Sequence, residues 1–196
     1  MFQGGGFKMV LVLFVFQITF FLFCSEENTS VVEKNIIPNL TFKNFDNKKV
    51  QLEQFYQDGP ILINFWTLSC EPCKKEMKHL SRLNTKYSDY GFEVLSVNMD
   101  SPRTLKKVKQ FSRAQNYTFE ILSDPRMELF RKLGGSVMPL VVIVDKDGSI
   151  LKKHIGYNPG DELILEKEIL DMLSLNSSDS QIQSLDSIEN HEKNNE

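Results

Sequence analysis

Short continuous apolar runs alternate along the centre of the chain with segments whose apolar residues recur every three or four positions. The run 61–66 follows the turn pair Gly59-Pro60 and predicts a strand buried on both faces. From Cys70 onward, apolar residues three or four apart, with Lys and Glu between them, predict a helix. Further strands are predicted at 92–100, 117–122, 140–145 and 149–155, and further helices at 102–115, 125–133 and 160–173.

The order of these elements predicts the class of fold. Strands and helices alternate up to residue 133, which is typical of parallel strands joined by helical crossovers. The last two strands flank Lys146-Asp147-Gly148, and a short turn containing Asp-Gly indicates an antiparallel hairpin. We therefore expect an α/β fold whose sheet is parallel early and antiparallel late.

Residues 9–23 form an apolar run of 15 residues, interrupted only by Gln17 and Thr19. This length lies between the apolar region of a signal peptide, about 7–15 residues, and a spanning helix, about 20. Lys8 precedes the run and acidic residues follow it, so the positive-inside rule leaves the N-terminus in the cytoplasm. Residues 1–24 are predicted to be a signal peptide or a membrane anchor, and the rest of the chain to be extracytoplasmic, on the periplasmic side.

Cys24 ends the apolar run and resembles the lipid-modified cysteine of bacterial lipoproteins, although Phe23 replaces the small residue of that motif. Three outcomes stay open for this segment: a retained anchor with a buried thiol, lipidation at Cys24, or cleavage and secretion. Each of the first two attaches the following domain to the membrane.

Composition divides the rest of the chain into a linker at 25–37, one domain at 38–173 and a disordered acidic tail at 174–196. The tail has five acidic residues and one lysine, and Lys8 is the one charged residue of the first 24. The formal charge of -3 therefore belongs to the two ends, and residues 25–173 contain 21 acidic and 21 basic residues. This balanced composition lacks the excess of basic residues typical of nucleic-acid binding, so that class of partner is excluded.

Cys70 and Cys73 form a C-x-x-C motif, and the third cysteine is Cys24. A structural zinc site needs four ligands, but the chain has no second cysteine pair and its three histidines are scattered, so no metal is expected. A purely structural disulfide across so short a loop stabilises little. The cysteine pair lies between a buried strand and a helix, and this position favours a redox-active dithiol that needs no other cofactor.

The chemistry of a helix N-terminus explains this position. Unpaired backbone N–H groups and the positive end of the helix dipole lower a thiol pKa, which makes Cys70 the expected nucleophile. Cys73, one turn later on the apolar stripe, is the expected resolving thiol. Pro72 lies in the first turn, where its missing N–H costs nothing and its fixed φ shapes the site.

NFW at 64–66 followed by CEPCKKE at 70–76 resembles the active-site segment of the thioredoxin-like family. Glu71-Pro72 and the following Lys-Lys-Glu are especially similar to the ResA/TlpA group of membrane-anchored thiol–disulfide oxidoreductases. The resemblance runs from about residue 38 to 173 and includes an inserted segment around 101–122. It implies a thioredoxin-like fold with a central mixed sheet flanked by helices.

The resemblance also implies roles for individual residues. Met138-Pro139 matches the family's cis-proline loop, which faces the dithiol and binds extended peptides. For Trp66, two roles stay open: core packing next to the site, which is favoured, and a substrate contact. Glu76 matches the active-site glutamate of the ResA/TlpA group. We hypothesise that it raises and couples the cysteine pKa values and exchanges a proton with Cys73; the alternative is an ordinary solvated glutamate of the helix. Asn64 stands where thioredoxin has a buried Asp and cannot take that role.

The function implied is thiol–disulfide exchange with protein disulfides, in particular reduction of an apocytochrome c cysteine pair by electrons from a membrane thiol–disulfide donor. A general oxidase or isomerase would use the same residues at a different redox poise. Thr67-Leu68-Ser69-Cys70 has the T-x-x-C spacing of a peroxiredoxin, which leaves a peroxidase as a rival. A copper chaperone is a third alternative, because thiolates suit Cu(I).

Overall fold

The computed structural model describes residues 35–173. The strands are β1 (Thr41–Asn44), β2 (Lys49–Gln51), β3 (Ile61–Trp66), β4 (Glu93–Asn98), β5 (Glu120–Ser123), β6 (Leu140–Val144) and β7 (Ile150–Ile155). The helices are α1 (Glu53–Tyr56), α2 (Glu71–Tyr87), α3 (Leu105–Gln115), α4 (Glu128–Lys132) and α5 (161–173), and a 3₁₀ turn covers Ser88–Tyr90.

The seven strands form one mixed sheet in the order β2-β1-β5-β4-β3-β6-β7. Strands β3, β4 and β5 are parallel, whereas β6 pairs antiparallel with both β3 and β7. The predicted α/β class, with an early parallel part and a late hairpin, is confirmed. β3 lies in the interior of the sheet, so its six residues are all buried, as a continuous apolar run predicts.

Each face of the sheet has its own apolar cluster, because successive side chains of a strand point to opposite faces. Ile61, Ile63 and Phe65 belong to one cluster, which also contains residues of α1 and α4. Leu62 and Trp66 belong to the other, which α2, α3 and α5 cover. The active-site helix α2 thus lies between α3 and α5 over the centre of the sheet.

The sequence pattern does not predict β1, β2 and α1. Both strands are short and half polar, and they join through a turn in which the Asn44 side chain accepts from the backbone N–H groups of Asp46 and Lys48. Their pairing with β5 depends on a contact about 80 residues away along the chain, between Lys43 and Ser123. Periodicity in a short window does not detect such a contact.

Other boundaries differ by a few residues. Helices α3 and α4 each begin three residues later than expected, because Pro102 and Pro125 lie in the preceding turns. Ile37 falls in the predicted linker, yet it is 2% exposed and packs in the core. The predicted anchor at 1–24, Cys24 and the tail at 174–196 lie outside the described residues. Every helix within 35–173 is too short or too polar to cross a membrane.

Candidate active site

Cys70 and Cys73 lie at the junction of β3 and α2 and are joined in a disulfide, with their Cα atoms 5.3 Å apart. Cys70 is the N-cap of α2, in an extended conformation, and Pro72 lies in the first turn of the helix. The backbone N–H of Cys73 donates to Cys70 Sγ at 3.3 Å. The sulfur of Cys70 therefore takes the place of the side-chain oxygen that usually caps a helix N-terminus.

The two cysteines differ in their access to solvent. Cys73 is 0% exposed and packs in the apolar cluster beneath α2, with its Sγ 3.9 Å from the carbonyl oxygen of Phe65. Cys70 is only half-buried. A substrate can reach Cys70 but not Cys73, which agrees with the nucleophilic and resolving roles predicted from the sequence.

The loop before Cys70 is held by Asp100, a residue that the sequence analysis did not single out. Asp100 follows β4, and its Oδ2 accepts from the backbone N–H of Leu68 at 2.7 Å and from the Asn98 side chain at 2.8 Å. Within the loop, the N–H of Cys70 donates to the carbonyl of Thr67. Because β3 and β4 are parallel, their carboxyl ends meet at one edge of the sheet. The position of Asp100 shortly after β4 was therefore the signal in the sequence that could have placed it near the dithiol loop.

The peptide bond between Met138 and Pro139 is cis, as the resemblance implies. Leu140 pairs with Phe65 in the antiparallel register of β3 and β6, so Pro139 lies beside the end of β3 that leads to the dithiol. Pro139 is buried, whereas Met138 is half-buried and contacts both apolar clusters. Val137 is 54% exposed and extends this loop into solvent.

Glu76 is 2% exposed, one turn after Cys73 on the same helix. Burial, and to a smaller extent the charge of Asp161 at the start of α5, raise the pKa of Glu76 to about 8. Its Oε2 has no hydrogen-bond partner within residues 35–173. Glu76 is therefore not an ordinary solvated helix residue, and it holds a proton near neutral pH.

Further polar atoms lie buried beneath α2. Asn64 is 0% exposed, and neither its Oδ1 nor its Nδ2 has a partner among the described residues. Ser96, which pairs with Asn64 across β3 and β4, has an equally unpartnered Oγ. Asn64 thus supplies a buried polar group without a titratable proton at the position where thioredoxin has an acid.

Trp66 requires a correction. Its side chain is 0% exposed, and its ring packs against that of Phe111 with centroids 6.0 Å apart. The predicted substrate contact by Trp66 is therefore wrong, because core packing leaves no surface for a ligand. Trp66 instead connects the active-site strand to helix α3.

Glu71 lies between the two cysteines, and its side chain is 73% exposed. It forms an ion pair with Lys74, whose Nζ also lies 5.5 Å from the centre of the Phe111 ring. Glu71 and Pro72 therefore form part of the exposed rim of the site, while Lys74 bridges this rim to α3.

A dithiol at the start of the helix that follows a central strand, facing a cis-proline loop, defines a thioredoxin-like thiol–disulfide oxidoreductase. The chain belongs to the AhpC/TSA family, whose model matches residues 34–153. This match covers the site from β3 to β6.

Similar proteins agree with this class. The thiol-disulfide oxidoreductase ResA of Bacillus thuringiensis subsp. konkukian is 28% identical over 141 residues, which cover 72% of this chain and 79% of that protein. The ResA of Bacillus anthracis is 29% identical over 126 residues, 64% of this chain and 71% of that protein. A solved structure from Chlorobium tepidum, described as a candidate thiol:disulfide interchange protein DsbE, has a TM-score of 0.66 and 26% identity, and the match covers 71% of this chain and 96% of that one.

Proposed function

We propose that the protein reduces disulfides of exported proteins outside the cytoplasmic membrane, and that its substrate is the cysteine pair of an apocytochrome c before haem attachment. The observation that carries the proposal is the arrangement of the dithiol, with Cys70 reachable at the helix N-terminus and Cys73 buried behind it. The resemblance to the ResA group supports the choice of substrate and of direction.

The reaction needs only the dithiol. The Cys70 thiolate attacks one sulfur of the substrate disulfide, forming a mixed disulfide and releasing the other substrate sulfur as a thiolate, which takes up a proton. Cys73 then loses its proton and attacks Cys70, which releases the second substrate thiol. Two electrons pass to the substrate, and the Cys70–Cys73 disulfide remains. No other redox cofactor takes part.

Glu76 supports the second step. Only the ionised form of Glu76 can take the Cys73 proton. Because the pKa of Glu76 is about 8, this form is the minority at neutral pH, but it is a stronger base than an ordinary glutamate carboxylate. Glu76 lies on the same side of α2 as Cys73, three residues along the helix. We assign it the proton exchange that Asn64 cannot perform.

Met138 and Pro139 position the substrate. They precede β6 directly beside the end of β3, and no backbone hydrogen bond of Met138 occupies its N–H or carbonyl group within residues 35–173. An extended peptide can bind these groups and bring its disulfide to Cys70. Residues 1–24 hold the domain at the membrane in this proposal, where a membrane thiol–disulfide donor returns two electrons to Cys70–Cys73.

A trapping experiment tests the substrate. Cys73→Ser in the full chain removes the resolving thiol, so a mixed disulfide on Cys70 should accumulate with a disulfide-bonded Cys-x-x-Cys-His peptide, the haem-attachment motif of c-type cytochromes. A Ser-x-x-Ser-His peptide is the matched control. The absence of any adduct with the cysteine peptide, while other protein disulfides are trapped, would exclude the apocytochrome.

The reduction potential of the Cys70–Cys73 couple tests the direction. A reductase should lie near or below thioredoxin, about −270 mV, and a general oxidase near −120 mV. A value at the oxidising end would replace the reductase by the oxidase or isomerase alternative, which uses the same residues.

A further inference from the structure

Charge is distributed unevenly over the domain. Residues 101–119 contain five basic residues and no acidic one. These five, which we call the basic face, are Arg103, Lys106, Lys107, Lys109 and Arg113. They belong to α3 and the turn before it, within the segment inserted between β4 and β5.

The basic face is open to solvent. Arg103, Lys106, Lys107 and Arg113 are exposed, and none of them has an acidic partner within 4.0 Å among residues 35–173. Lys109 donates to the carbonyl of Phe45 and lies over its ring. Lys106, Lys109 and Arg113 line one groove of about 680 Å³, together with Leu105 and Gln110. The groove therefore presents positive charge that the described residues leave uncompensated.

This charge opposes the stability of α3. Lys106 and Lys107 lie in its first turn, which contains no acidic residue and where the helix dipole disfavours cations. Lys109 and Arg113 are four residues apart on the helix, and like charges at that spacing repel each other. Because the fold gains nothing from Lys106 and Lys107 in this first turn, an external anionic group is the partner that they suit.

The start of α3 lies near the loop that leads to the dithiol. Phe111 of α3 packs against Trp66, and Lys74, one turn after Cys70, lies over the Phe111 ring. Asp100, three residues before Arg103, bonds to Leu68 in the loop that ends at Cys70. The turn that carries Arg103 is therefore held close to the loop that ends at Cys70, where a chain segment beside the substrate disulfide can contact it.

We infer that the basic face binds an acidic segment of the substrate protein that flanks the disulfide attacked by Cys70. This inference rests on the proposed function, that the dithiol reduces protein disulfides. The redox step is unchanged: the substrate disulfide gains two electrons and two protons, and the Cys70 and Cys73 thiols become a disulfide. The basic face contributes only to the choice of substrate and to its rate of association.

A protein partner fits the basic face better than an anionic membrane does. Interfacial membrane binding combines basic residues with an exposed apolar face. The large apolar side chains exposed within 35–173 include none from α3; the closest in sequence are Tyr90 and Met127. A bilayer lying on this surface would also cover the rim through which a substrate reaches Cys70.

The test uses the full chain, reduced beforehand, and three peptides with the same internal disulfide loop. The residues flanking this loop are Glu-Asp-Glu, Gln-Asn-Gln or Lys-Arg-Lys. The rate at which the protein reduces each peptide is divided by the rate at which dithiothreitol reduces the same peptide, which removes differences in intrinsic reactivity. We expect the acidic peptide to be reduced about tenfold faster than the neutral one at low ionic strength, with the preference falling to about twofold in 0.5 M salt.

Charge reversal locates the effect. Lys106→Glu with Arg113→Glu should abolish the preference for the acidic peptide while leaving the rate with the neutral peptide unchanged. Lys152→Glu with Lys167→Glu, an equal change of charge at exposed positions of β7 and α5, should keep the preference. Retention of the preference in the first variant, or its loss in both, would overturn the inference.

Other outcomes separate the two proposals. Equal rates for all three peptides would reject the acidic partner and leave the reductase intact, whereas no reduction of any peptide would reject the reductase itself. Binding of the protein to vesicles of phosphatidylglycerol and phosphatidylcholine tests the membrane as the alternative partner. If Lys106→Glu with Arg113→Glu weakens vesicle binding more than the control does, while the peptides show no preference, the partner is the membrane and the inference is wrong.

Discussion

The backbone N–H of Cys73 donates to the sulfur of Cys70 across 3.3 Å. One residue of the pair thus holds the sulfur of the other at the start of α2, where further backbone N–H groups also lack intrahelical partners. The Cys73 N–H and these unpaired N–H groups both stabilise a thiolate at Cys70. Cys73 itself lies in the apolar cluster beneath the helix. This relationship makes the two thiols chemically unequal.

The inequality predicts different rates of alkylation. In the reduced full chain, iodoacetamide should modify Cys70 about tenfold or more faster than Cys73, because Cys73 is 0% exposed. Mass spectrometry assigns the adduct to Cys24, Cys70 or Cys73, and the single variants Cys73→Ser and Cys70→Ser provide the matched pair. Equal labelling of the two thiols would contradict the assignment of roles.

Glu76 predicts a dependence of stability on pH. Its pKa is raised from 4.5 to about 8, so between these values the folded protein keeps a proton that the unfolded chain releases. The contribution of Glu76 to the free energy of unfolding should therefore be fully present below about pH 4.5, decline between pH 4.5 and 8 by about 1.4 kcal/mol per pH unit at the steepest, and be lost above about pH 8.

Urea unfolding of the oxidised chain at several pH values measures this slope. Glu76→Gln should flatten it, and should also shift the pH profile of thiol reactivity if Glu76 exchanges a proton with Cys73. Glu71→Gln, at an exposed position of the same helix, should leave both unchanged. An unaltered slope in Glu76→Gln would show that Glu76 ionises normally.

Asp100 predicts a loss of both stability and rate. Asp100→Ala leaves the Leu68 N–H and the Asn98 side-chain amide without their acceptor, which should cost about 2–3 kcal/mol. The loop before Cys70 loses its anchor, so disulfide exchange should slow. Urea unfolding and exchange rates measure the two effects, and Asp89→Ala, at an exposed site, is the control. Wild-type rates in Asp100→Ala would remove Asp100 from the site.

Asn64 and Ser96 predict a gain of stability on removal of polar atoms. Their buried groups have no partners within residues 35–173, so Asn64→Leu should raise the free energy of unfolding by about 1–2 kcal/mol, and Ser96→Ala should be neutral or stabilising. The midpoint of urea unfolding measures both. A destabilised Asn64→Leu protein would show that the amide is hydrogen-bonded to internal water.

The peroxidase alternative predicts rapid consumption of hydrogen peroxide. Thr67 Oγ1 lies 3.2 Å from Ser69 Oγ, and the carbonyl of Thr67 accepts from the Cys70 N–H, so the Thr67 hydroxyl is engaged within its own loop. We therefore expect slow turnover of peroxide that Thr67→Val does not change. Fast turnover that depends on Cys70 and is lost in Thr67→Val would favour the peroxidase.

The parts of the site that were predictable are those encoded over short distances. The buried strand at 61–66 and the helix from Cys70 follow from local periodicity, and the cis bond at Met138–Pro139 follows from a matching motif. The packing of the Trp66 ring against Phe111 and the hydrogen bond between Leu68 and Asp100 were not predictable from local periodicity. Both depend on contacts with segments more than 30 residues away, Phe111 and Leu68 respectively.

The sequence by itself determined the reactive groups, their spacing and the elements that carry them, because a C-x-x-C after an apolar strand produces a capped dithiol through local backbone geometry alone. Tertiary structure decided what surrounds that dithiol. Packing of α5 over α2 buries Glu76 and raises its pKa, and the hydrogen bond from Leu68 to Asp100 brings the turn before α3 close to the loop that ends at Cys70. Burial and electrostatic potential depend on distances between elements far apart in the chain, so only the assembled fold establishes them.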